Sequence, residues 1–132
     1  MDKLRYASFS SRLLAHNIDL LIMIILLYLV GLIITDNQTL YYIAIAVYFI
    51  YHISFESSSL NATPGKILTK ITVEAKNRTS LSFAQIVSRN LLKVLSLLLL
   101  FTGFIMISFS SKRQGLHDYL SNSYVFRLEN NN

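Results

Sequence analysis

No cysteine occurs among the 132 residues, so neither a disulfide framework nor a thiolate metal site can form, and the chain carries no mark of its redox compartment. Charged residues are scarce at 14%, while hydrophobic residues reach 53%, more than an ordinary soluble domain of this size can cover. Motifs that carry chemistry are thin as well. In "NATPGKILTK", Gly65 precedes Lys66, but the earlier glycine of a P-loop and the hydroxyl residue after the lysine are missing. No serine stands in a G-x-S-x-G elbow. His117 and Asp118 adjoin, yet no third or fourth ligand follows at a metal-binding spacing. These gaps argue against nucleotide binding, nucleophilic catalysis and a metal centre, so neither an enzyme nor a cofactor is expected.

What is present is apolar length. Three blocks stand out: about 13–35, about 40–55 and about 83–111, the last most apolar from Val94 to Ser111. A helix that crosses a bilayer needs roughly 17 to 25 such residues. The "DNQT" connector between the first two is so short that they are expected to form an antiparallel helix hairpin. No A-x-A cleavage pattern follows the first block, which is therefore expected to stay attached.

Lysine and arginine set the orientation. Lys3, Arg5 and Arg12 precede the first block, the connector has none, and Lys66, Lys70, Lys76 and Arg78 follow the second. By the positive-inside bias the N-terminus belongs in the cytoplasm. The net charge of +5 is spread over the ends of apolar runs instead of one polar face, which argues against nucleic acid as a partner. Basic residues flank the third block on both sides, Arg89 and Lys93 before it and Lys112 and Arg113 after it. A segment that dips in and returns keeps them all inside, and Thr102 with Gly103 offers a break point. The third element is thus expected to be broken or re-entrant, with the C-terminus also cytoplasmic.

Two polar stretches read as strands. Segment 67–75 holds the β-branched "KITVEA", and segment 123–129 alternates Tyr124, Phe126 and Leu128 against Val125, Arg127 and Glu129. They are expected to pair on the cytoplasmic side. "SFAQIVSRNLLKVLS" puts Phe83, Ile86, Val87 and Leu91 on one helical face with Arg89 and Lys93 near its border, as in an interfacial or membrane-entering helix.

The least expected residue is Asp19, inside the first apolar block. On a helix it shares a face with Arg12 and His16, about 10 Å from the arginine along the axis. A carboxylate facing lipid near mid-membrane costs about 2.5 to 3.5 kcal/mol, so it needs a partner or water. One reading makes it an acceptor that pins the bundle; the other makes it an ion or proton site. Lys112, Arg113, His117 and Asp118 crowd the exit of the third block, where such residues cap helices and meet anionic lipid headgroups.

Four stretches in this order, "SRLLAHNIDLLI", "TPGKILTKITV", "SRNLLKVLSLLLL" and "RQGLHDYLSNSYVF", resemble the RDD family of small bacterial membrane proteins, named for one arginine and two aspartates. The likeness runs from about Tyr6 to Phe126. It implies a single domain over 1–132: an all-α membrane protein with a transmembrane hairpin, a third helical element and a short cytoplasmic strand pair. It also implies Arg12 as the family arginine and Asp19 and Asp118 as its aspartates. Family members often have Ala-Gly-Thr where Ser121, Asn122 and Ser123 stand here, and Pro-Gly within the stretch Phe101 to Phe104. The family further implies a role in transport, with sodium–proton exchange suggested for some members.

Two expectations follow. The first is an oligomeric inner-membrane protein that moves a cation or small solute through Asp19. The second is a non-transporting scaffold or a lipid- or partner-binding module in which Arg12, Asp19 and Asp118 form a structural lock. In either case both carboxylates are expected within reach of the Arg12 guanidinium, with His16, Arg113 and His117 in support.

Overall fold

The computed structural model describes residues 6–77, 79–98 and 102–128, without the side chains of 96–98 and 102–105. Lys3, Arg5 and Arg78 of the charge count, Phe101, and Glu129 of the tail lie outside the described residues, whereas Thr102 and Gly103, expected as the break, begin a helix.

Helix α1 (Phe9–Gly31) starts where the Ser8 side chain accepts from the Ser11 N–H at 3.3 Å, which satisfies one of the free donors of the first turn. Helix α2 (Asn37–Ser57) starts in the same way, with Asp36 accepting from the Thr39 N–H at 2.7 Å. Residues Asn37 to Thr39 of the expected connector are therefore already helical, and the turn falls at 32–36. Among the described residues these are the two helices long and apolar enough to cross a membrane. Only 17% and 11% of their most apolar windows are buried, whereas the core helix of a soluble protein would be mostly covered.

The rest of the described chain gathers at the Arg12 end of α1. Pro64 opens the short helix α3 (Pro64–Leu68) at its first position. There its missing N–H costs nothing and its fixed φ suits the turn. Residues 67–70 are consequently not strand, and β1 is confined to Ile71–Ala75. Strand β2 (Ser123–Arg127) pairs with it antiparallel, from Ile71 opposite Arg127 to Ala75 opposite Ser123. On the other edge of β2, the Ala7 N–H donates to the Val125 carbonyl at 2.9 Å and Tyr6 stacks on Phe126. With partners on both faces, Val125 and Phe126 are both buried, so the expected apolar/polar alternation does not sort the tail into an inner and an outer face. A small core of Ala7, Ala15, Ile71, Val73, Leu81, Ile86 and Val125 holds this cap together.

The third apolar block becomes two helices, α4 (Phe83–Leu98) and α5 (Thr102–Phe109), followed by the short α6 (Leu116–Leu120). The expected apolar face of α4 is split between the interior and the outside. Arg89 and Asn90 point inward with Ile86 and are buried, while Phe83 and Leu91 are 67% and 54% exposed. The soluble-protein rule of apolar side inward fails because the interior at this place is an ion cluster.

Candidate functional site

Asp19 is 2% exposed, and all its partners come from α2 and the start of α3. The Tyr51 hydroxyl donates to Oδ1 at 2.8 Å, the Thr63 hydroxyl to Oδ2 at 2.5 Å and the Gly65 N–H to Oδ1 at 2.8 Å. Thr63 makes no side-chain cap for α3; the carboxylate of another helix stands where a cap would be, and an anion is favoured there by the free N–H groups. Gly65 is required for this approach. A Cβ on it would lie 2.1 Å from the Ala15 carbonyl oxygen and 2.9 Å from the Asp19 carboxylate.

A second cluster is ionic. Glu56, at the end of α2, accepts from Lys66, from Arg89 at 2.9 Å and from Lys93 at 3.1 Å through Oε1, and from Asn90 at 3.1 Å through Oε2. Arg89 bridges onward, its Nε donating to Asp118 Oδ1 at 2.9 Å. Asp118 also pairs with Arg12 and accepts from the Gly115 N–H at 3.3 Å. Arg12 in turn donates to the Arg113 carbonyl. Buried charges survive only when paired and hydrogen-bonded in this way.

The expected cluster of one arginine and two aspartates is thereby divided. Arg12 reaches Asp118, but Asp19 faces Tyr51, Thr63 and Gly65 instead, because α3 docks on α1 between the two levels. Arg113 contributes its backbone carbonyl to Arg12, and its guanidinium donates to the Tyr6 carbonyl at 3.4 Å. His117 Nε2 lies 3.5 Å from Asp118 Oδ1. His16 lines a cavity described below. Sequence reasoning missed Glu56, Lys66, Arg89, Asn90 and Lys93 as partners. The signal was there: Glu56 closes an apolar run, and Arg89 and Lys93 fall four residues apart on one helical stripe.

Outside the two long apolar helices, titration follows these contacts. Burial disfavours the charge of Asp118, but His117, Arg12 and Arg89 hold its carboxyl well below the usual range. Burial pushes His117 down to about 3, with Asp118 opposing and Arg89, Lys93 and Arg12 assisting. Burial also lowers Lys66 against the pull of Glu56.

A cavity of about 490 Å³ opens between α1, α2, α4 and α5. Arg12, Lys66, Arg89 and Lys93 line its polar end, and Tyr41, Ile45, Phe49 and Ile107 are among its apolar walls.

No curated protein and no solved structure gives a match to this chain. The model of the RDD family does match, over residues 6–122. That stretch contains the arginine at the start of α1, the buried aspartate in it and the aspartate of α6, and the chain belongs to the RDD family.

Proposed function

We propose that the protein is a non-transporting membrane scaffold of the cytoplasmic membrane, in which buried charges lock a cytoplasmic-side cap onto a two-helix hairpin. In this reading α1 and α2 cross, and α4 with α5 enters and returns. Both flanks of that pair support the return: Arg89 meets Asp118 at one end, and the Arg113 carbonyl meets Arg12 at the other. Orientation rests on the basic residues, which collect at this end while the turn at 32–36 has none.

The observation that carries the reading is the way Asp19 is held. Three fixed donors from two other segments converge on a carboxylate with about four lone-pair sites. A carboxylate that binds and releases a cation must exchange its partners, and two of the three here, Thr63 and Gly65, come with the docking of α3 on α1.

The test is flux in sealed vesicles. Purified protein is expected to give no sodium, potassium or proton flux above that of protein-free vesicles. Asp19→Asn is expected to insert but to unfold at lower temperature, losing about 1–3 kcal/mol for donors left without their acceptor. Flux by the wild type that disappears in a folded Asp19→Asn variant would instead make Asp19 a transport residue.

A further inference from the structure

We propose that the cavity between α1, α2, α4 and α5 binds one membrane phospholipid with an anionic headgroup, its phosphate toward Lys66 and Lys93 and an acyl chain along Ile45 and Phe49. The inference rests on the membrane placement proposed above and names the ligand of that scaffold.

Shape is the first argument. His52 and Tyr41, both on the cavity wall, are separated along α2 by about 16 Å at 1.5 Å per residue. The cavity is thus a slot parallel to the helix axis and not a pocket for a compact solute. Its two ends differ in chemistry. Lys66, Arg89 and Lys93 stand at one, while Tyr41, Ala44 and Ile45 stand at the other. A free anion would leave the apolar wall without a partner, and a wholly apolar ligand would put hydrocarbon against the charged end. A molecule with an anionic head and a long apolar tail satisfies both.

Charge is the second argument. The cluster and its surroundings hold four cations, Arg12, Lys66, Arg89 and Lys93, against three acids, Glu56, Asp118 and Asp19. By formal charge one cation is in excess at the polar end, and Asp19 is already held by neutral donors. Lys93 donates to Glu56 and Asn90, two of the three protons of its ammonium. The surplus repels a cation and attracts a phosphate.

Access is the third. Ile45 and Leu13 are exposed beside the slot, at the depth where α1 and α2 meet acyl chains if they span. A lipid can therefore enter sideways from the bilayer.

The experiment uses the full chain, purified in detergent, exposed to equimolar phosphatidylglycerol and phosphatidylcholine of the same chain length, with retained lipid counted by native mass spectrometry. The expected result is one phosphatidylglycerol per chain, preferred about fivefold over phosphatidylcholine, and not displaced by millimolar inorganic phosphate. Lys93→Gln should reduce that preference. Ala44→Phe, which fills the apolar slot and touches no charge, should reduce retention of both lipids. Equal retention of the two lipids by the wild type overturns the proposal even if a variant fails to fold. So does displacement by inorganic phosphate, undiminished retention by a folded Ala44→Phe, or a lipid-free dimer in which a second copy covers the slot. None of these outcomes alters the flux result, so failure here leaves the scaffold reading to its own test.

Discussion

Asp19 and Asp118 are both buried carboxylates, yet they are accommodated differently. Asp19 is held by two hydroxyls and an amide, all neutral, whereas Asp118 is held by two guanidinium groups. The Asp118 neighbourhood also contains His117, kept neutral in the fold down to about pH 3 by burial. An unfolded chain binds a proton there near pH 6.5. Between those values the unfolded state binds more protons, so His117 contributes stability that is fully present above about pH 6.5 and is lost as pH falls toward 3. The melting temperature in detergent should therefore drop as pH is lowered from 7 to 4.5, and His117→Asn should flatten the slope by up to about 1.4 kcal/mol per pH unit. Parallel slopes for the two proteins would show that His117 is protonated in the folded state. Asp19 was legible as a site residue because a charge inside an apolar run is conspicuous, and Arg12 and Asp118 through the resemblance to the RDD family. Their partners were less so. Glu56, Arg89 and Lys93 lie at the margins of apolar blocks, where a charge has an ordinary explanation in topology, and only three-dimensional convergence distinguishes a lock from a boundary.

At the scale of elements, α3 is five residues long and decides how the cap sits. Its first turn presents Gly65 to α1 at Ala15, a contact with no room for a methyl group. Gly65→Ala should push α3 away from Asp19 and lower stability by about 1–3 kcal/mol or more. Proteolysis of the segment around α3 and the melting temperature both report this. An unchanged melting temperature would mean that α3 does not need its close approach. Helices α1 and α2 could be read from apolar length alone, and the strand pair from β-branched residues and alternation. Helix α3 could not, since five residues show no helical period and Pro64 reads equally as a stop or a start. The apolar face of α4 was legible, but not the polar side chains that pack inward beside it. Periodicity identifies which residues share a side, but not whether that side meets protein or lipid, and here Arg89 and Asn90 take the inner side because Glu56 is waiting for them.

For the whole molecule, the distribution of mass along α1 and α2 is uneven. At the Arg12 end they are joined by α3, the two strands, α6 and both flanks of the α4 and α5 pair, while the turn at 32–36 stands apart from them. Helix α5, eight residues long, reaches only about 12 Å, less than half of a hydrocarbon core of about 30 Å. If the hairpin spans and α4 and α5 enter from the cytoplasmic side, as proposed above, four helices displace lipid in the cytoplasmic leaflet and only two in the outer one. The protein is then a wedge, and a wedge has a preferred membrane curvature, with the cytoplasmic leaflet on the convex side. Reconstituted into vesicles of decreasing diameter, it should insert with the cap increasingly outward, which a membrane-impermeant amine reagent can measure through the exposed Lys112. An orientation ratio independent of vesicle diameter would mean that the two leaflets are displaced equally. With that shape, many copies would gather where the membrane already bends toward the cytoplasm, without any contact between them.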